Sequence, residues 1–226
     1  MGRNYTGIDI VYAFLSNIAI HNDRAWFVGH RDEYDRARMI FEDMAQQLIN
    51  RLSVIDTSLA HLTVRDCTYR FYRDTRFSED KSPYKQHFGT YIAAHGKKAF
   101  HGGYYLHIQP GKCMIAGGAY CLPSNILKAV RQSIVDETEE FRGIVEDPEF
   151  KRLFPIIGLD RLKTLPVGFP RDYPYPEYLR PKDYSIATSI SDDFLRQDNW
   201  LEQTVAVFQK MKPFIDFVNY TIDDYE

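Results

Sequence analysis

The hydrophobic pattern of this chain changes its period twice, and these changes limit the folds it can adopt. Up to about residue 60, apolar residues recur three or four positions apart, as in Ile8, Val11, Tyr12 and Leu15. This spacing is typical of amphipathic helices. From about residue 63 the pattern alternates, and after about residue 123 the helical spacing returns. Helices, then strands, then helices again predict an α+β fold in which helices cover an antiparallel sheet.

Polar side chains mark the expected starts of the first helices. Thr6 precedes the first helical stretch, and Asn22 precedes a short one through Trp26. Such side chains accept hydrogen bonds from the N–H groups that a helix start leaves without partners, so both are predicted caps. A longer, core-facing helix follows, because its apolar residues recur four apart. These residues are Ile40, Met44, Leu48 and Leu52.

Alternation of apolar and polar residues predicts three strands outside any tight turn. Cys67, Tyr69 and Phe71 alternate with residues of the opposite kind, as expected for a strand with one buried face. Residues 89–94 and 184–188 form two further short candidates.

The most distinctive strand signal is a hairpin. Residues 104–108 and 113–116 are apolar-rich segments on either side of Gln109-Pro110-Gly111-Lys112. Proline presets φ for the first central position of a type II turn, and glycine accepts the positive φ of the second. We therefore predict an antiparallel hairpin here.

The second half of the chain is predicted to be mainly helical. Helices are expected from about 123 to 142, from Asp147-Pro148, and at the C-terminus, the last interrupted near Pro213. The proline-rich segment 155–181 is expected to wrap the surface. Residues 1–226 are predicted to form a single domain, with a helical region 1–60, a sheet-rich region 63–122, a helix and proline-rich wrap 123–190, and C-terminal helices 191–222.

Charge and cysteine content exclude several classes of protein. The net charge is −3, with 28 basic and 31 acidic residues, so no global field attracts nucleic acid. No stretch approaches the roughly 20 apolar residues of a membrane span, and no signal core begins the sequence. Cys67, Cys113 and Cys121 form no CxxC pair. We expect a cytoplasmic protein without cofactor.

The densest charge lies between residues 70 and 85. This stretch holds five basic and three acidic side chains, so two positive charges are left over if each acid pairs with one base. Arginine matches the oxygens of phosphate or carboxylate in two-pronged fashion, which makes a small anion the expected ligand. The predicted ligand-binding residues are Arg70, Arg73, Asp74, Arg76, Asp80, Lys81, Tyr84 and Lys85.

Neighbouring residues complete this predicted site. Phe71 and Phe77 are expected to anchor the stretch to the core. Tyr84 would add a hydroxyl group. Accessory positions are Arg24, Gly117 and Gly118, since glycine lets a ligand approach the backbone closely.

The order of residues in this stretch resembles a known signature. It reads Arg, two residues, Arg-Asp, one residue, Arg-Phe, then Asp-Lys and, three residues on, Tyr. This is similar to the bacterial and fungal family catalogued as domain of unknown function 2461, which implies a soluble fold but no activity. Val167 departs from the family pattern, because Arg is common at that position. Further similar segments are 14–15, 22–27, 104–105, 117–118 and 162–169.

Other interpretations of the same residues stay open. The charges could form a structural lattice of ion pairs. A hydrolase could use Asp74 or Asp80 as a general base, with the arginines stabilising developing negative charge. An interaction module could dock partners through the tyrosines and segment 155–181. His95, His101 and His107 lie six apart, but nothing in the pattern fixes them on one face, so no metal is expected.

Overall fold

The computed structural model describes residues 7–224 and confirms the α+β fold; the predicted cap Thr6 lies outside these residues. Within 7–224 there are nine α-helices and four strands. The helices are α1 (Gly7–Ile20), α2 (Arg24–Gly29), α3 (Arg31–Ile55), α4 (Val64–Cys67), α5 (Ser124–Asp136), α6 (Thr138–Val145), α7 (Pro148–Leu153), α8 (Pro176–Leu179) and α9 (Trp200–Asp223). The strands are β1 (Phe88–Ile92), β2 (Gly103–Ile108), β3 (Met114–Ala119) and β4 (Tyr184–Ser189).

The four strands form one antiparallel sheet in the order β1-β2-β3-β4. The predicted hairpin is confirmed, because β2 and β3 are joined by a turn in which the Lys112 N–H donates to the Gln109 carbonyl at 2.8 Å. Gly111 has a φ of +75°, the conformation for which the sequence places a glycine there. The predicted strands at 89–94 and 184–188 correspond to β1 and β4.

The described chain divides into two compact units. Unit 1 comprises the described part of Met1–Ile92 together with Tyr105–Met114 and Ser189–Val205. Unit 2 comprises Ala93–Tyr104, Ile115–Thr188 and the described part of Ala206–Glu226. Each unit therefore combines segments that are far apart in sequence.

The core of unit 1 begins with α1 packed against α3. Beside them lies an aromatic cluster, in which Phe71 contacts Phe14 at 5.6 Å and Phe88 at 5.4 Å between ring centroids. Phe27 stacks on Tyr84 at 4.1 Å in the same cluster. Aromatic pairs at these separations add to the hydrophobic stabilisation of a core. The cluster fixes both ends of the 70–85 stretch, because Phe71 and Tyr84 belong to it.

In unit 2 the proline-rich segment 155–181, predicted to wrap the surface, is largely exposed, and a few of its side chains are buried. Tyr173 and Tyr178 are buried, and their hydroxyl groups hydrogen-bond to Thr138 and Glu146. Buried Arg131 donates to the carbonyl of Pro181 at 2.7 Å. These bonds satisfy polar groups that would otherwise be costly to bury.

The predicted strand at residues 67–72 is wrong. Thr63 donates from its N–H and its hydroxyl to the Asp66 carboxylate, at 2.9 and 2.6 Å, and this cap starts helix α4. Beyond Cys67 the backbone is extended but makes only isolated bridges, Thr68 with Thr90 and Tyr72 with Tyr84. A local cap thus overrides the alternating pattern at its start.

Three helix predictions are also corrected. Asp23, not Asn22, caps α2, since its carboxylate accepts from the Trp26 N–H at 2.9 Å. The helix predicted from 123 to 142 breaks at Glu137 into α5 and α6. Helix α9 continues through Pro213 without interruption. Burial of Phe214 on this helix helps to offset the hydrogen bond that proline removes.

No helix within residues 7–224 is both long and apolar enough to cross a lipid bilayer.

Gly118 provides a test of the packing in unit 2. Its φ is +99°, and a Cβ at this position would overlap the carbonyl oxygen of Tyr184. We expect Gly118→Ala to lower the free energy of unfolding by about 2–4 kcal/mol, since both strain and overlap oppose it. Urea denaturation followed by circular dichroism measures this change.

Gly143→Ala is the matched control. Gly143 lies on the exposed face of α6, and an added Cβ there meets no atom within 4 Å. This substitution should leave stability unchanged or raise it by up to about 1 kcal/mol, because alanine favours the helix. Equal effects of the two substitutions would contradict the packing described for Gly118.

Candidate functional site

Residues 70–85 form a loop that is closed at its base by backbone pairing. The Arg73 N–H donates to the Pro83 carbonyl at 2.9 Å, and the Lys85 N–H donates to the Phe71 carbonyl at 3.0 Å. The Asn22 side chain secures the same base. It donates to the carbonyl of Tyr84 and accepts from its N–H, both at 3.0 Å. Asn22 therefore acts as a long-range clamp, a role that its predicted capping function did not anticipate.

Inside the loop, Arg73 is engaged by the loop itself. It pairs with Asp80, donates to the Ser82 carbonyl at 3.1 Å and donates to the Ser78 hydroxyl at 3.3 Å. The Ser82 hydroxyl and N–H donate to the Asp80 carboxylate at 2.6 and 2.8 Å. These bonds, with that from Arg73, lower the pKa of Asp80 to about 2.

A second internal pair lies nearer the tip of the loop. Arg76 makes a two-pronged contact with the Asp74 carboxylate, at 2.7 and 3.0 Å. This contact lowers the pKa of Asp74. Lys81 donates to the Thr75 carbonyl at 3.0 Å. The loop thus satisfies Arg73, Arg76 and Lys81 with its own acceptors.

The tip of the loop corrects one prediction. Phe71 is buried and anchors the stretch as expected, but Phe77 is 95% exposed and contacts no core. The Arg76 guanidinium lies 5.8 Å from the centre of its ring. The Arg76–Asp74 pair and the turn at residues 76–77 direct Phe77 into solvent. Its apolar character alone could not reveal this.

Two basic residues at the base of the loop are left over. Among the residues that the structure describes, Arg70 and Lys85 form no ion pair with a carboxylate. The Lys85 ammonium lies 5.1 Å from the centre of the Tyr69 ring, in a cation–π contact. Partial burial lowers the pKa of Lys85, and the nearby positive charges of Arg70 and Arg38 lower it further.

Arg70 and Lys85 line a small pocket of unit 1. Its floor is aromatic and its rim carries the two cations. The lining residues are Phe41, Tyr69, Arg70, Phe71, Lys85, His87, Phe88 and Gly89. The pocket has room for about one water-sized group, so it admits a single oxygen atom of an anion and not an extended molecule.

A histidine pair extends from the pocket across β2. The rings of His87 and His107 lie 4.4 Å apart between centroids. Burial, the neighbouring His107 and Lys85 lower the pKa of His87 to about 4, so its ring is neutral near pH 7. Burial also lowers the pKa of His107. The two imidazoles carry no charge near pH 7, so the positive charge of the pocket comes from Arg70 and Lys85.

Hydrogen bonds set the tautomer of His107. Its Nε2 lies 3.1 Å from the Gln109 side-chain oxygen, an acceptor, so Nε2 carries the proton. Nδ1 then accepts from the Tyr105 hydroxyl at 2.9 Å. Gly89 leaves space for this hydroxyl, because a Cβ there would overlap it. The sequence contains one signal of this chain of hydrogen bonds. Residues 105, 107 and 109 are spaced two apart, so they are expected on the same side of β2 and of the residue that follows it.

The other predicted site residues lie elsewhere. The Tyr84 ring is buried in the aromatic cluster and does not line the pocket. Arg24 is the exposed first residue of α2. Gly117 and Gly118 belong to β3 in unit 2, where they allow close packing against Met211 and Tyr184. Of the predicted set, only Arg70 and Lys85 therefore line the pocket.

Comparison with known proteins identifies one family. The model of the family described as "Conserved hypothetical protein (DUF2461)" matches residues 11–217. No curated protein and no solved structure matches the chain.

The low pKa of His87 predicts how stability depends on pH. Between about pH 6.5 and 4 the unfolded chain binds a proton at this residue and the folded chain does not, so stability falls as pH decreases through this window. We expect His87→Gln to reduce the loss of stability between pH 7 and pH 5. Urea midpoints at the two pH values measure the loss. Exposed His61 offers the control, and His61→Gln should leave the loss unchanged. A His87→Gln variant that behaves like this control would contradict a neutral, partly buried His87.

Proposed function

The chain belongs to the DUF2461 family of conserved hypothetical proteins, and from that premise we propose that it binds a small anionic ligand at the pocket lined by Arg70 and Lys85. One observation carries the proposal. The 70–85 loop neutralises Arg73 and Arg76 with its own carboxylates but supplies none to Arg70 and Lys85. A positive charge that a fold holds in place without a counter-ion favours an anion from solution.

The electrostatic setting of the pocket adds to this attraction. Arg38 lies near Lys85, donates to the Tyr69 carbonyl at 3.1 Å and pairs with Glu42 at 2.6 Å. Partial burial is the main cause of the lowered pKa of Lys85, and the like charges of Arg70 and Arg38 lower this pKa further. An anion between Arg70 and Lys85 would offset the repulsion of these like charges.

The size and polarity of the pocket narrow the ligand class. Guanidinium and ammonium groups both donate to phosphate and carboxylate oxygens, and arginine does so with two parallel bonds. The pocket has room for about one water-sized group, so one oxygen of such a ligand enters it. The ligand is therefore a phosphate or carboxylate group whose remaining atoms extend outward from the pocket.

The geometry favours binding over the hydrolase alternative. Asp74 and Asp80 have lowered pKa values, and each is held by an arginine of the loop. A carboxylate that is stabilised in its ionised form is a weak proton acceptor. For the interaction-module alternative, Tyr173 and Tyr178 of the proline-rich segment are buried and do not form a docking surface.

We infer a cytoplasmic location on separate grounds. Cys67, Cys113 and Cys121 are not joined by disulfides. Thiols in this state suit a reducing compartment.

Titration with inorganic phosphate tests the proposed function. We expect isothermal titration calorimetry to detect binding to the wild-type protein, and Arg70→Gln and Lys85→Gln each to weaken it about tenfold or more. The reason is that each variant loses a charge-assisted hydrogen bond of about 1.5–3 kcal/mol. Circular dichroism checks that the variants are folded.

Arg76→Gln is the charge-matched control. It removes one positive charge from the same loop, but its partner is Asp74 and it does not line the pocket. Phosphate affinity should change less than twofold or so, as expected for a screened surface charge. Absence of phosphate binding to the wild-type protein, or equal loss in all three variants, would refute the proposed site.

A further inference from the structure

Unit 2 contains a group of potential metal ligands that the sequence pattern did not bring together. His95, His101 and Asp223 each offer one ligand atom, and these atoms all lie within 4.8 Å of one another. Within residues 7–224 they are the one group of three such side chains at this spacing. His107, which shares their six-residue spacing, lies in unit 1. The three histidines therefore do not form one group. Asp223, which is distant in sequence, joins His95 and His101 instead.

The last turns of α9 hold Asp223 in place. Asn219, one turn earlier on the helix, accepts from the Gly102 N–H at 2.6 Å and donates to the Gly102 carbonyl at 3.1 Å. These two hydrogen bonds hold the helix against the residue that directly precedes β2. Four residues later Asp223 meets His101, whose Nε2 lies 2.8 Å from a carboxylate oxygen. The spacing of four places both side chains on one helix face.

The loop between β1 and β2 brings His95 next to His101. Gly96 adopts a φ of +76° and its N–H donates to the Ala93 carbonyl at 2.9 Å, so the chain turns sharply after His95. The rings of His95 and His101 then stack at 3.8 Å with an angle of 6° between their planes. His101 is buried, with 2% of its surface exposed, whereas His95 is exposed.

The electrostatic setting favours a cation. Asp223 lies at the C-terminal end of a 24-residue helix, where the helix dipole is negative and no basic residue occupies the last turn. A carboxylate at this end repels the partial charge of the helix. A bound cation attracts both the carboxylate and the negative end of the helix, so it stabilises Asp223 at this position.

From these observations we propose that His95, His101 and Asp223 form a binding site for a divalent transition-metal ion such as Zn²⁺. Two imidazole nitrogens and one carboxylate oxygen are a donor set that such ions accept, whereas Ca²⁺ and Mg²⁺ prefer oxygen alone. Three protein ligands leave at least one coordination position for water or another molecule. The proposal is independent of the anion pocket in unit 1.

Metal binding requires three small changes. The ring proton of His101 resides on Nδ1 in the bound state, which leaves the Nε2 lone pair for the ion. Ligand atoms about 2.1 Å from a tetrahedral ion lie roughly 3.4 Å apart, so the 2.8 Å separation of His101 and Asp223 opens slightly. The His95 ring turns away from the stack, and its exposed position permits this rotation.

Calorimetric titration of the full chain with Zn²⁺, after removal of metal by a chelator, tests the proposal. We expect one ion per chain, and Co²⁺ should give the visible absorption of a tetrahedral or five-coordinate site. His95→Ala and Asp223→Asn should each weaken Zn²⁺ binding by more than about 100-fold, since each removes a ligand. Both positions are exposed, so both variants are expected to fold.

The control variant is His61→Ala, which removes an exposed histidine of unit 1 and should not change Zn²⁺ affinity. Ca²⁺ at the same concentration should not bind. The proposal is overturned if the wild-type protein does not bind Zn²⁺, if His95→Ala and Asp223→Asn bind it like the wild type, or if Ca²⁺ binds equally well.

Discussion

The backbone pairing that closes the 70–85 loop determines which charges of this protein are neutralised. The bonds from Arg73 to Pro83 and from Lys85 to Phe71 place the loop's acids beside Arg73 and Arg76. Burial of Phe71 and Tyr84 holds this base in the aromatic cluster of unit 1, and Asn22 clamps it from another part of the chain. Lys85 belongs to this base and Arg70 directly precedes it, and within residues 7–224 no carboxylate forms an ion pair with either side chain.

One continuous motif therefore has two parts with different charge environments. The outer part of the loop is a small lattice of ion pairs, as the structural interpretation of the sequence expected. The base of the loop is different, because Arg70 and Lys85 meet an aromatic floor and a neutral His87. Under the proposed function, these two cations would attract an anionic ligand.

The sequence predicts the elements whose signals are local. The β2–β3 hairpin follows from Pro110-Gly111, and α7 follows from Asp147-Pro148, whose aspartate accepts from the N–H groups of the first turn. The strand predicted at 67–72 fails because helix α4 takes its first residue, Cys67, and the chain beyond it forms only isolated bridges. Charge counting within 70–85 assumes that every acid pairs with a base and so leaves two cations. Among the described residues only Asp74 and Asp80 of this loop form such pairs, and Lys81 joins Arg70 and Lys85 in having no carboxylate partner. Contacts such as Asn22 with Tyr84 join residues 62 apart, and no periodicity encodes them.

The ionisation of Lys85 gives the most direct measure of the central claim, because this ammonium is both crowded by like charge and open to a ligand. Nuclear magnetic resonance of ¹³C-labelled lysine can follow its pKa with and without saturating phosphate. The account predicts a pKa below that of an ordinary lysine in the unliganded protein and a rise when phosphate binds, since an anion stabilises the charged form. An ordinary pKa that phosphate leaves unchanged would contradict it.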